Sequence, residues 1–154
     1  GTAFDMQVIA IGLYLQRDDW VSQWIRSHAI PRIDSQILLS GEQPLETART
    51  KSWNYTTENL YHFFLIGLMA NNVGHDLFNY SNPSGGGYKK ALDYAIPYVE
   101  DPLSWPHKMI VPFDIKRLQA AIQIADSIYA DARYQEVIEE QDWGRISLRY
   151  FLRQ

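Results

Sequence analysis

Apolar positions along the chain recur with a helical rather than a strand period. From about Ala3 to Gln16 the residues are apolar almost throughout (Phe4, Met6, Val8, Ile9, Ile11, Leu13, Leu15), which predicts a buried helix. Gly1 and Thr2 lead into it without a capping side chain, so the sequence is expected to start close to a helix start. Asp18 and Asp19 open a second helix, from about Asp19 to Leu39, with Trp20, Trp24, Ile25 and Ala29 on one stripe. Pro31 is expected to kink that helix or restart it at a first turn.

The pattern lapses from Ser40 to Asn54, where Gly41, Pro44 and several polar residues predict a long loop. Thr56 or Thr57 is a candidate N-cap for a helix running to about Ala70. Ser81 to Gly87, with Pro83 and three consecutive glycines, reads as a turn. Helix is expected again from Tyr88 to Glu100. The proline-bearing stretch Asp101 to Pro112 reads as a surface loop. Asp114 is expected to cap a helix to about Ala130, followed by Ala132 to Glu140 and a short last helix from Trp143 to Leu152. No segment alternates apolar and polar residues between turn signals. No repeat of a common solenoid family is visible. The fold class is therefore all-α, built of consecutive helical hairpins.

Composition narrows the function classes. The 154 residues are 46% apolar and 21% charged, which suits a folded domain. A net charge of −4 speaks against nucleic acid as the partner, and an acidic substrate would have to meet local cations. With no cysteine, disulfides, thiolate metal sites and a Cys nucleophile are excluded. The apolar runs are too short to span a bilayer. No two histidines stand at i, i+4 with a carboxylate, so neither metal nor cofactor is expected. Aromatic residues reach 14%, with ten Tyr and five Trp, and serve either a packed core or a cleft whose rings stack on sugars.

The informative stretch is Gln43-Pro44-Leu45-Glu46-Thr47-Ala48-Arg49-Thr50-Lys51-Ser52-Trp53-Asn54-Tyr55. Together with Gly1-Thr2-Ala3-Phe4-Asp5-Met6-Gln7 and Asp76-Leu77-Phe78-Asn79-Tyr80, it resembles the alginate-lyase domain family over Gly1 to about Ile110. Members of that family carry an Asn-Asn-His-Gly signature that opens a helix, followed some fifty residues later by Glu-Leu-x-Arg and a tyrosine. Gly1 matches the glycine of the signature. Some members space the Arg and Tyr one residue further apart than Arg49 and Tyr55, which leaves the subfamily and its uronate open.

The resemblance implies that residues 1–154 are the C-terminal portion of one catalytic domain, folded as an incomplete (α/α) toroid or barrel of antiparallel helical hairpins. It implies a polysaccharide lyase, a carbon–oxygen lyase that cleaves alginate or a related polyuronate such as glucuronan by β-elimination. The partner is then an anionic polysaccharide, with no nucleic acid and no membrane, and the location is periplasmic or secreted. Without the upstream Asn and His, this stretch alone is expected to be inactive. It is also expected to expose apolar surface and so to associate.

The chemistry needs residues of these types. Elimination removes the C5 proton beside a carboxylate, and the enolate that forms must be neutralised by cations or hydrogen bonds. Arg does this bidentately and stays charged. Tyr can take the C5 proton and protonate the departing O4 when both lie on one face of the ring. By resemblance Arg49 neutralises the uronate carboxylate and Tyr55 transfers the proton. Lys51, Trp53 and Gln7 are candidate substrate-binding residues. Read without the resemblance, Arg49 pairs with Glu46 and Tyr55 packs on Trp53. His62 reads as a core residue, Tyr129 as core packing that could also close a cleft, and Gly85-Gly86-Gly87 as a flexible turn. Glu46 and Glu58 could serve as glycosidase carboxylates. Two alternatives stay open: a non-catalytic carbohydrate-binding helical domain, and a glycoside hydrolase on a similar toroid.

Overall fold

The first apolar run forms helix α1 (Thr2–Tyr14). It is not buried all round. Thr2, Asp5, Ile9 and Gly12 turn inward, at the spacing of a single helix face, while Phe4, Ile11, Leu15 and Tyr14 are 56%, 59%, 59% and 86% exposed. A run that is apolar on every side carries no signal for which side is covered, so the expectation of a buried helix holds for one face only. Asp5, 1% exposed, is held in the interior by the guanidinium of Arg32.

The computed structural model describes residues 1–141 and 143; the last expected helix lies outside them apart from Trp143. The second helix is a continuous rod in three parts: α2 (Asp18–Trp24), a π-helical turn over Ile25–Ala29, and α3 (Ile30–Gln36). Pro31 sits in the first turn of α3. It has no N–H to donate, and the wider π turn takes up the mismatch just ahead of it. The rod stops at Gln36 rather than Leu39, because Ile37 turns extended (φ −115°, ψ 117°) while its side chain stays in the core.

The expected loop contains one short helix, α4 (Pro44–Thr47). Its fixed point is Gly41, whose φ is +89° and whose absent Cβ would fall 2.0 Å from the carbonyl oxygen of Lys90. Gly41→Ala is therefore expected to cost at least about 1–3 kcal/mol from the left-handed backbone alone, read as a fall in melting temperature. A Tm equal to wild type would contradict both the backbone strain and the clash with Lys90.

Helix α5 (Ser52–Asn71) is the centre of the fold, flanked by α1, α4, α6 (Tyr88–Ala95) and α8 (Lys116–Tyr129). It starts at Ser52, ahead of the expected cap. Thr57 is no cap, since its hydroxyl donates back to the carbonyl of Trp53 at 3.0 Å within the helix. Helix α7 (Pro97–Glu100) continues α6 past Ile96, as the expected helix over 88–100 required. Helix α9 (Ala132–Glu140) packs on α8 and is capped by Asp131, which accepts the amide of Arg133. Among the described residues no strand forms; Lys51 and Met109 make an isolated antiparallel bridge. The stretch 101–112 is largely exposed, as expected of a surface loop, but that bridge and one buried side chain anchor it to the core. Trp105 is 7% exposed and packs edge-on against Trp53.

Candidate active site

The segment that carries Arg49 is fixed from beneath by buried amides. Gln43, fully buried, donates from Nε2 to the carbonyl of Thr56 at 3.3 Å and accepts at Oε1 from Asn59 Nδ2 at 2.8 Å. Asn59 also donates to Gln36 Oε1 at 3.2 Å, so α3, the α4 segment and α5 share one polar knot. Buried amides of this kind are stable only when satisfied, and a satisfied network fixes one geometry. Sequence reasoning assigned no role to Gln43 or Asn59; their signal is three-dimensional.

The start of α5 is clamped from the other side. Ser52 donates to the carbonyl of Lys108 at 2.8 Å and accepts from Trp105 Nε1 at 2.8 Å. Trp53 donates its indole N–H to the carbonyl of Asp114 at 2.9 Å and stacks on Phe113 at 4.6 Å between centroids. Trp53 is 0% exposed, so its ring belongs to the core and does not face a sugar; the expected binding role is corrected. Lys51, half-exposed, stands at the N-cap of α5 and is held by the Met109 bridge, apart from the groove that Arg49 and Tyr55 line.

Arg49, Tyr55, Glu46 and Glu58 meet in an open groove of about 240 Å³, with Gly1 and Ala3 of the α1 end on one wall and Asn59 and His62 along α5. Arg49 Nη1 donates to Glu46 Oε2 at 2.8 Å, and its guanidinium carbon lies 3.1 Å from the centroid of the Tyr55 ring. Burial works to lower the Arg49 pKa, but Glu46 and Tyr55 outweigh it and hold the guanidinium above its ordinary value. The ring of Tyr55 thus stiffens a cation whose side chain remains 46% exposed and open to a ligand. The Thr2 hydroxyl is buried at the same wall without a hydrogen-bond partner. Gln7 lies one turn beyond Ala3 on the same side of α1 and is exposed, outside the groove itself.

His62 is the residue whose place the sequence hid most. It lines the groove, half-buried, rather than the core. Burial chiefly lowers its pKa; Arg117 adds to this and Glu58 opposes it. Its neutral form offers one donor and one acceptor. Tyr129 is away from the groove: its hydroxyl donates to the carbonyl of Phe78 at 2.8 Å, as core packing requires. His28 stacks on Trp24, His75 bonds Ser22 and His107 bonds Tyr94, each apart from the others. Among the described residues no group of three or more His, Cys, Asp and Glu is placed to hold a metal, and no helix is long and apolar enough to cross a membrane.

The hairpin helices thus bring a cation, a phenol and an imidazole together in one groove along the first half of the central helix. The alginate lyase family model matches residues 1–105, and the chain belongs to the alginate lyase family. The fold is similar to the crystal structure of an alginate lyase from Bacteroides ovatus, with a TM-score of 0.83 and 31% identity, over 91% of this chain and 38% of that one. The chain therefore spans well under half the length of that relative. The likeness shows the all-α toroid, of which these hairpins form an arc. No curated protein sequence matches.

Proposed function

We propose that the groove is the active site of a polysaccharide lyase that cleaves alginate or a related polyuronate, such as glucuronan, by β-elimination outside the cytoplasm. The observation that carries the proposal is the stacking of Arg49 on Tyr55 in an open groove, 3.1 Å from guanidinium carbon to ring centroid. The uronate carboxylate takes the place of Glu46 on Arg49. An exposed ion pair contributes only about 0–1 kcal/mol, so the exchange is cheap. Arg49 then offsets the charge that develops on the carboxylate as the C5–H bond breaks. The Tyr55 oxygen receives the C5 proton, the electron pair forms the C4–C5 double bond, the C4–O4 bond breaks, and the proton passes to O4.

Gly1 lines the same groove. An Asn-His directly ahead of it, as the family signature has, would meet the sugar there as partner base or carboxylate binder. Glu46 and Glu58 both line the groove as well, which is the observation favouring a hydrolase as the second reading. Glu46, however, already accepts from Arg49 at 2.8 Å, so its carboxylate is engaged rather than free to meet a leaving group. Products decide between the two. A lyase leaves a C4–C5 double bond conjugated with the carboxylate, seen as new ultraviolet absorbance while the polymer shortens. Shortening without absorbance would establish hydrolysis.

A further inference from the structure

Five buried side-chain polar atoms lack a hydrogen-bond partner among the described residues, and of these only the Thr2 hydroxyl belongs to a residue that lines the groove. A buried hydroxyl left unpaired is destabilising, and such a group in a folded protein calls for a reason. Thr2, 3% exposed, opens the inward face of α1 that packs on α5. A helical Cβ leans toward the helix start, which here forms the groove wall. At the first position of a helix there is no preceding turn whose carbonyl the hydroxyl could bond, as Thr57 bonds the carbonyl of Trp53 in α5. Turning the Thr2 side chain to meet a ligand therefore breaks no bond.

The groove also holds an acceptor whose identity the fold determines. The Thr56 carbonyl can only accept, so Gln43 must turn its Nε2 to it, at 3.3 Å. Gln43 Oε1 is then the atom that meets Asn59, at 2.8 Å. Asn59 must answer with Nδ2, which also donates to Gln36 Oε1 at 3.2 Å. Both hydrogens of that amide are taken up in the knot, and Oδ1 is what the side chain has left for the groove it lines. A carbonyl oxygen only accepts, so its ligand must donate. A carboxylate cannot, whereas a sugar hydroxyl can. The Thr2 hydroxyl, able to donate or accept, suits a second sugar hydroxyl. Neither group is charged, so the pair sets no repulsion against a polymer with a carboxylate on every unit.

We infer that Thr2 and Asn59 bind ring hydroxyls of the uronate whose carboxylate lies on Arg49. Held at its carboxylate and at its hydroxyls, the sugar cannot turn its C5 proton away from Tyr55. The inference rests on the lyase reading of the groove. The two residues bind and orient, and neither exchanges a proton.

The test uses the full-length protein on a homopolyuronate. Thr2→Val replaces the hydroxyl by a methyl of similar size and keeps the β-branch. It should raise KM by about three- to tenfold, the worth of one hydrogen bond. Because that bond is made in the bound sugar and in the transition state alike, kcat should hardly move. Melting temperature should equal or exceed wild type, since a buried unpaired hydroxyl is gone. Thr2→Ser keeps the hydroxyl and should keep the wild-type KM. Asn59→Leu loosens the knot as well as removing Oδ1, so it is read against Gln36→Leu, which loosens the knot alone. Its KM should rise further than that of Gln36→Leu. An unchanged KM in Thr2→Val would overturn the inference, as would a fall in Tm, which would give the hydroxyl a structural partner. Equal KM values in Asn59→Leu and Gln36→Leu would remove Asn59 from it. If no unsaturated product forms, the lyase reading itself fails. Equilibrium binding of a uronate tetrasaccharide to wild type and Thr2→Val then still decides: weaker binding by the variant upholds the inference, and equal affinities, or no binding to wild type, would overturn it.

Discussion

Replacing Tyr55 by Phe is expected to lower kcat by about 10²–10⁴-fold, the range for losing a general acid–base group. The substitution removes one hydroxyl and keeps the ring on which Arg49 rests, 3.1 Å from its centroid. Arg49 should therefore stay in place, the carboxylate should still bind, and KM and melting temperature should hardly change. A variant with a wild-type rate of double-bond formation would keep the lyase and move the proton transfer elsewhere. Tyr129 is a poor replacement, because its hydroxyl is committed to the Phe78 carbonyl. His62, in the groove, would be the residue to replace next.

Arg49→Lys should lose roughly 2–4 kcal/mol of transition-state stabilisation, by analogy with removing an oxyanion donor. The charge is kept, but the planar fork that grips a carboxylate at two points and lies flat on Tyr55 is lost. The effect should appear in kcat/KM. Stability should barely move, since the pair with Glu46 is half-exposed on the Arg side and such pairs contribute about 0–1 kcal/mol. A large fall in Tm with kcat/KM unchanged would instead make Arg49 a structural partner of Glu46. That was the plain reading of the two residues from sequence, and their 2.8 Å contact shows that the pair does form.

Elements with local signals were legible in the sequence. Helix α8 starts just after Asp114, which accepts the amide of Lys116 although Ile115 takes the cap position. Helix α9 spans the expected 132–140, and α6 with α7 covers the expected 88–100, with an unexpected joint at Ile96. The start of α5 was not legible. It is set by Lys108, Met109 and Asp114, more than fifty residues away in sequence, which pull Ser52 and Trp53 into the core. The same distant clamp removes Trp53 from the list of sugar-facing residues. The exposed side of α1 was hidden because its residues are apolar on every face, and burial there depends on neighbours that periodicity does not name. His62 was hidden by its aromatic neighbours Tyr61, Phe63 and Phe64. Its signal was the spacing to Tyr55: residues 55, 58, 59 and 62 recur at three and four, so they share one face of α5 and line one groove.

The most direct measurement of the central claim is the ultraviolet absorbance of the reaction products, followed together with polymer length, for the full-length protein on a panel of uronate-containing polysaccharides. The account predicts that absorbance from a C4–C5 double bond grows in step with every chain break, and that it collapses in Tyr55→Phe and Arg49→Lys. Chains that shorten while the absorbance stays flat would contradict it.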